Sequence, residues 1–288
     1  MSETLYTSQT LLERMTAAFK DHGMEQAQAE AIAIIAELLN CNRLQAKVEN
    51  RPLSGELYAR AVDIMQRRLA NEPWQYIFER AYFRDLELYV DRSVLIPRPE
   101  TELLADWCIE FLPQNGSLLD VGTGSGAIAL SVALERSDSH VCACDVSSEA
   151  LAVARSNALN NNISNVEFVQ SYLLDDFADR KFDIIAANLP YVTEEEHTQL
   201  SPEVRDFEPK LALTSGEDGL DLIRELIEQA PRCLNNHGAI ILEMSEWQTS
   251  IVAELLSTQL CWSAIEIKRD YTHRNRFVIA RLREKIIF

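Results

Sequence analysis

Apolar positions recur at helical spacing from about Ser8 to Leu69: Leu11, Leu12, Met15 and Phe19, then Ala31, Ile34, Ile35, Leu38 and Leu39, then Leu57, Ala61, Ile64 and Met65. His22-Gly23 and Arg51-Pro52-Leu53-Ser54-Gly55 punctuate the pattern, so a small helical bundle is predicted. After a break at Asn71 to Pro73 the period changes to two. Tyr82-Phe83, Leu86, Leu88 and Val90 predict a β-hairpin linker that Pro97 and Pro99 bring to an end. Beyond it the spacing predicts a helix from about Glu100 to Leu112, and then short apolar runs alternate with helical stretches. The strands are Leu118 to Val121, His140 to Asp145, Val166 to Gln170, Phe182 to Ala187 and Ala239 to Glu243, with Ala264 to Lys268 and Arg276 to Ala280 near the end. Helices fall at Ala127 to Leu134, Ser148 to Asn160 and Leu220 to Cys233. This alternation predicts an α/β fold, with a mostly parallel sheet of seven strands covered on both faces.

The expected organisation is a helical domain over residues 1–72, a hairpin linker over 73–98 and an α/β domain over 99–288. Of the 288 residues 47% are hydrophobic and 25% charged, ordinary values for a chain that buries a core. A formal net charge of -18 disfavours direct nucleic-acid binding, which needs clustered Lys and Arg, and fits a protein partner or a small molecule better. The six cysteines lack metal-ligand spacing, and Cys142 and Cys144 fall in an apolar run, where they read as buried strand residues. Met1 to Thr10 carries no basic stretch followed by an apolar one, and no apolar run approaches about 18 residues. A reduced, cytoplasmic protein without a membrane span is expected.

The chemistry concentrates at two strand ends. Leu118-Leu119-Asp120-Val121-Gly122-Thr123-Gly124-Ser125-Gly126-Ala127 runs from an apolar strand into a glycine loop and then a helix, so backbone can approach a ligand closely. The run also satisfies the dinucleotide pattern, with Asp145 ending the next strand where a ribose-binding acid belongs. Asp120 tips the reading towards S-adenosylmethionine, because a carboxylate there suits a cationic amino-acid group and would repel a pyrophosphate. Asp145 offers two acceptor oxygens for ribose hydroxyls, or alternatively caps the helix near Ser148. Tyr172 and Leu173 follow the third strand, where an adenine would lie.

The second strand end is Asn188-Leu189-Pro190-Tyr191. An amide nitrogen is a poor nucleophile because its lone pair is delocalised, so methylating one requires acceptors that orient its N–H groups. The Asn188 side-chain oxygen and the Leu189 main-chain carbonyl are the candidate acceptors. Pro190 biases Leu189 towards an extended backbone, and Tyr191 offers a ring to cover a planar group. The chemistry expected is direct in-line transfer without a covalent intermediate, giving S-adenosylhomocysteine. No Ser-His-Asp or Cys-His grouping argues otherwise, and His197 and His273 read as surface residues.

With these motifs the chain resembles the release factor N5-glutamine methyltransferase family, class I S-adenosylmethionine-dependent enzymes with a Rossmann-like sheet. The matching segments begin at Glu72-Pro73-Trp74-Gln75-Tyr76-Ile77 and at Val94-Leu95-Ile96-Pro97-Arg98-Pro99-Glu100-Thr101-Glu102. They continue through both sites above to Phe207-Glu208-Pro209-Lys210-Leu211-Ala212-Leu213, Gly216 to Leu220 and Leu242-Glu243. The resemblance implies that the substrate is the glutamine of a Gly-Gly-Gln motif in peptide chain release factors, that Arg98 and Glu100 help to wall the cofactor pocket, and that the helical domain recognises the substrate. Two positions depart from the family: Leu189 stands where Asn-Pro-Pro-Tyr is usual, and Met244 where glycine commonly follows Leu-Glu. Asn-Leu-Pro-Tyr is similar to the motif of ribosomal RNA adenine dimethyltransferases. RNA adenine N6-methylation is therefore the alternative, alongside an inactive protein that only binds a partner.

Overall fold

Thr7, Asn42 and Ser54 each accept a hydrogen bond from the backbone N–H three residues on and so start three of the N-terminal helices. In the computed structural model, which describes residues 6–284, the chain forms two compact units, Met1–Ile77 and Phe78–Phe288. The outermost residues of the expected terminal domains, 1–5 and 285–288, lie outside the described residues. The first unit holds α1 (Ser8–Asp21), α2 (Ala27–Leu38), α3 (Arg43–Val48), α4 (Gly55–Leu69) and α5 (Trp74–Ile77). Helix α1 packs on α2, α3 and α4, burying Met15 and Phe19 with Ile34 and Ile35.

The second unit opens with the hairpin β1 (Ala81–Phe83) and β2 (Leu86–Leu88), then α6 (Thr101–Phe111). β3 (Ser117–Val121), α7 (Ala127–Glu135), β4 (His140–Asp145), α8 (Ser148–Asn160), β5 (Val166–Gln170) and β6 (Phe182–Ala187) follow. Short helices α9 (Glu194–Gln199) and α10 (Pro202–Phe207) precede α11 (Asp221–Cys233), β7 (Leu234–Glu243), α12 (Gln248–Thr258), β8 (Trp262–Arg269) and β9 (Asn275–Leu282). The seven-stranded sheet has the order β5-β4-β3-β6-β7-β9-β8; β3 to β7 run parallel and β9 is antiparallel to both neighbours. The expected mostly parallel, seven-stranded sheet is therefore present.

Alternation along each strand feeds two cores. Leu119, Val121, Ile185 and Leu242 pack with α11 and α12 on one face. Leu118, Ala143, Ile184 and Ile241 pack with α6, α7, α8 and the hairpin residues Phe83, Leu86 and Leu88 on the other. Strand β7 starts at Leu234, five residues before the expected Ala239, because its first pair, Phe182 with Leu234, is separated by a register shift from Ile184 with Ala239. The polar residues Asn235 to His237 in that bulge hide the strand from a reading of hydrophobic pattern. Among the described residues no helix is long and apolar enough to cross a membrane.

Candidate active site

Strand order reverses beside β3, which has β4 on one side and β6 on the other, and the carboxyl ends at such a switch leave a crevice. Two rim segments face it. The glycine loop leaves β3 with Gly122 at φ +73° and Gly124 at φ +54°, both in the left-handed region. The N–H groups of Gly122 and Thr123 both donate to the Cys144 carbonyl at 2.9 Å, tying the loop to β4. A Cβ on Gly124 would meet nothing within 4 Å, so this backbone lies open. A Cβ on Gly122 would sit 2.9 Å from Leu189 Cδ2, so the absent side chain makes room for the second rim segment.

The two strand-end acids do different things. Asp145 lines the cavity; its Oδ2 accepts from the Gly124 N–H and its Oδ1 from the Ser147 N–H, both at 2.9 Å. It is not the cap of α8, a position held by Ser147, whose hydroxyl accepts from Ala150. Asp120 is fully buried and off the cavity wall, because strand alternation turns it to the same face as Leu118, beneath the loop. There Oδ2 accepts from Thr123 Oγ1 at 2.6 Å and from the Ala129 N–H at 3.2 Å, while Oδ1 has no hydrogen-bond partner. Burial pushes its pKa up to about 7 against those two hydrogen bonds, and the Asp145 charge adds to the rise. Burial also raises Asp145, opposed by the N–H groups of Ser147 and Gly124.

A cavity of about 410 Å³ lies over the loop. Gly122, Thr123, Gly124, Ser125, Asp145, Tyr172, Leu173, Asn188, Leu189 and Pro190 all line it, as does Arg98, whereas Asp120, Gly126, Tyr191 and Glu100 do not. Tyr172 is exposed and its hydroxyl donates to Glu225 at 2.8 Å; Leu173 is buried at φ +44°. A second cavity, of about 500 Å³, adjoins the first and is lined by Tyr191, Val192, Glu196, Leu200 and Ser245. Leu95, Arg98, Asn188, Leu189 and Ala212 line both.

Asn188 and Leu189 thus form a partition that faces two chambers. The Asn188 Nδ2 donates to Thr101 Oγ1 at 3.1 Å. Tyr191 is held through its backbone: Gln248 Nε2, in a fully buried side chain, donates to its carbonyl at 2.9 Å and to that of Asp218 at 3.0 Å. Gly219, at φ +70°, lies so close that a Cβ would come within 2.1 Å of the same Tyr191 oxygen. Burial pushes the Tyr191 phenol up to about 12, so it keeps its proton at neutral pH. Arg98 Nη2 donates to Glu208 Oε1 at 2.7 Å, joining the proline-arginine-proline segment to the Glu208 segment.

The sequence reading did not single out Thr101 or Gln248 as site residues. Thr101 carried a usable signal, since it lies within the matched segment Val94 to Glu102. Gln248 carried none, its partners lying 57 and 30 residues away.

A family model described as "Methyltransferase domain" matches residues 112–277, and one described as "PrmC N-terminal domain" matches residues 10–78. The release factor glutamine methyltransferase of Thermodesulfovibrio yellowstonii is 36% identical over 254 residues, 87% of this chain and 91% of that protein. That of Streptomyces coelicolor is 36% identical over 272 residues, 92% of this chain and 95% of the relative. Among solved structures, a methyltransferase from Pyrococcus furiosus aligns with a TM-score of 0.52 at 20% identity, covering 80% of this chain and 98% of the other, a likeness of fold.

Proposed function

This chain belongs to the release factor glutamine methyltransferase family, and we propose on that premise that it transfers a methyl group from S-adenosylmethionine to N5 of the glutamine in the Gly-Gly-Gln motif of a peptide chain release factor. The observation that carries the reading is the Asn188–Leu189 partition between two chambers, because direct transfer needs donor and acceptor to meet at one wall.

The chamber over the glycine loop fits the cofactor. Its volume falls within the roughly 300–1,000 Å³ of small-molecule sites, Gly124 leaves open backbone, and Asp145 presents a half-buried carboxylate for a ribose diol. Tyr172 and Leu173 flank the adenine end. S-adenosylmethionine supplies an electrophilic methyl group on a sulfonium centre. Asp120 acts on the cationic amino-acid group of the cofactor from beneath the loop, holding Thr123 and the first turn of α7 while contributing negative charge.

The substrate side rests on the partition. Asn188 Oδ1 and the Leu189 carbonyl accept the two N–H groups of the glutamine amide, which turns the nitrogen lone pair towards the methyl carbon. Tyr191, held by Gln248 and by close approach of Gly219, walls the second chamber, and Pro190 keeps Leu189 extended. The helical first unit serves substrate choice, since a glutamine on a loop offers few contacts of its own. Removing it is expected to reduce transfer to an intact release factor far more than transfer to a short Gly-Gly-Gln peptide, with circular dichroism showing that the remainder stays folded.

The test is incubation with a purified release factor and labelled S-adenosylmethionine, followed by mass spectrometry of the Gly-Gly-Gln peptide. A methylated glutamine is the expected result. Methylated adenine in ribosomal RNA with an unmodified glutamine would overturn the substrate and favour the RNA alternative; no transfer to either would favour an inactive binding protein.

A further inference from the structure

We propose that Gln248 is a positioning residue for the substrate, its side-chain amide fixing where the Tyr191 wall of the second chamber stands. The inference deepens the proposed function and rests on that reading for its kinetic arm. Gln248 opens α12 and is fully buried, yet it lines neither chamber, so it reaches a substrate only through another residue. A primary amide carries two N–H donors at one end and an acceptor oxygen at the other. Both ends are engaged here. Nε2 donates to the Tyr191 carbonyl at 2.9 Å and to the Asp218 carbonyl at 3.0 Å, and Oε1 accepts from the Ser245 N–H at 3.0 Å.

Tyr191 and Ser245 line the second chamber, while Asp218 belongs to the turn from Gly216 to Leu220, which lines neither. One amide therefore joins the exit of β6, the exit of β7 and the turn that leads into α11. That turn is shaped for the contact. Gly219, at φ +70°, has no side chain where a Cβ would lie 2.1 Å from the Tyr191 oxygen and 2.7 Å from Gln248 Nε2, so a larger residue would force the turn and the amide apart. The residue after Tyr191 is held too. The Val192 N–H donates to the Leu213 carbonyl at 2.8 Å, and the Val192 carbonyl accepts from the Ser215 N–H at 3.1 Å. The main chain that carries the Tyr191 ring is thus fixed from three segments.

A ring that covers a planar amide does so in the bound state and in the transition state alike, so its placement bears on KM more than on kcat. Tyr191 is not part of the cofactor chamber, and cofactor affinity should not respond to it. The hydrogen-bonding sense of residue 248 matters as well as its shape. Glutamate has the size of glutamine, but an ionised carboxylate has no donor and would face two carbonyls. Methionine fills similar space and leaves both carbonyls unpaired. A side chain that acted by packing alone would tolerate either.

The kinetic arm uses a Gly-Gly-Gln peptide at saturating cofactor and compares Gln248→Met and Gln248→Glu, each alone and combined with Tyr191→Ala. Gln248→Met is expected to raise KM by about tenfold and Gln248→Glu by more, with kcat within about threefold and cofactor affinity within about twofold of wild type. Once Tyr191→Ala has removed the ring, the same substitutions should change KM by less than about twofold. Wild-type KM in Gln248→Glu, or an equal fold-change with and without the ring, would overturn the proposal. Should circular dichroism show that the Gln248 variants do not fold, Gly219→Ala takes their place in the cycle, because it presses on the same Tyr191 carbonyl. The second arm needs no substrate. In protein labelled with 3-fluorotyrosine, the Tyr191 resonance, assigned by its loss in Tyr191→Phe, should shift in Gln248→Met while that of Tyr172, on the cofactor side, stands still. A Tyr191 resonance that keeps its wild-type position in Gln248→Met would equally overturn it. If wild-type protein leaves release-factor glutamine unmodified, the proposed substrate fails, and the resonance alone decides the role of Gln248.

Discussion

The glycine loop after β3 is anchored by residues close to it in sequence, whereas the turn after β6 is anchored by residues far from it. Thr123 and Ala129 reach Asp120 across three and nine positions, and Gly124 reaches Asp145 across 21. Asn188 is tied to Thr101 across 87 positions, and Tyr191 to Gln248 across 57. Behind the glycine loop stands a fully buried acid, Asp120, linked to it by the Thr123 hydroxyl. The glycine side presents mostly backbone and one carboxylate, which suits a ligand held in a constant pose. The Asn188 side presents a side-chain amide held by Thr101 of α6, which suits the step in which a poor nucleophile must be aligned.

If this division is right, damage on the two sides should separate into chemistry and binding. The largest effect is expected from Asn188→Ala, which removes one of two acceptors for the substrate amide. We expect kcat to fall by about 10²–10³-fold, as for loss of a transition-state hydrogen-bonding group, with S-adenosylmethionine affinity within about twofold of wild type. Calorimetry with single-turnover kinetics distinguishes the two quantities. Wild-type kcat in this variant would remove the amide from the mechanism.

Next in size is Asp145→Ala on the other side. It removes both acceptors proposed for the ribose and leaves the Gly124 and Ser147 N–H groups without theirs. Cofactor affinity should weaken by about 10- to 100-fold, with kcat at saturation much less affected. Equal losses in affinity and kcat would mean that the two sides do not act separately.

The same contrast explains what was legible in the sequence. His140 to Asp145, Val166 to Gln170 and Phe182 to Ala187 are strands with the bounds expected, because each is a short, mainly apolar run ended by a polar residue or a loop signal. The glycine loop was legible for the same local reason. Order within the sheet was not, since nothing in the β3 run specifies that β6 becomes its neighbour. Helices α9 and α10 were also missed; six residues each is too short for a hydrophobic period, although the Thr193–Glu196 capping box and Pro202 mark their starts. On the Asn188 side the motif itself stood out, while Thr101 and Gln248 gained their meaning only when the fold brought them to it.

A smaller effect is expected from pH. Asp120 has a pKa of about 7, raised by burial from the ordinary carboxylate value, so it is largely neutral below that pH. A cationic ligand favours its charged form, and cofactor affinity should therefore rise from pH 6 to 8 by up to about tenfold, with proton release on binding. For the ligand-free protein the sign is opposite. A raised acid pKa contributes stability that is fully present below the unfolded value near 4 and is lost as pH rises through about 7, amounting to roughly 4 kcal/mol at most. Asp120→Asn should accordingly raise Tm more at pH 8 than at pH 5 while flattening the pH dependence of affinity. Affinity that is already flat in wild type would uncouple Asp120 from the ligand.

The smallest effect is expected where the chain departs from its family. Leu189→Pro restores the usual Asn-Pro-Pro-Tyr, and the proposed acceptor at this position is a carbonyl, which proline also has. The lost N–H costs no ladder bond, because the last paired residue of β6 is Ala187. Proline at this position also biases Asn188 towards an extended backbone, as Pro190 already does for Leu189. What is lost is packing: Leu189 is buried, and its Cδ2 reaches the space left by the missing Gly122 side chain. A buried leucine cut back to a smaller apolar group costs about 1–3 kcal/mol, so Tm should drop by a few degrees while kcat stays within about threefold. A fall in kcat of about 10² with unchanged cofactor affinity would mean that the Leu189 side chain, and not its carbonyl, sets the acceptor geometry. The partition would then depend on contact between its two sides, and their separation into binding and chemistry would fail at Gly122.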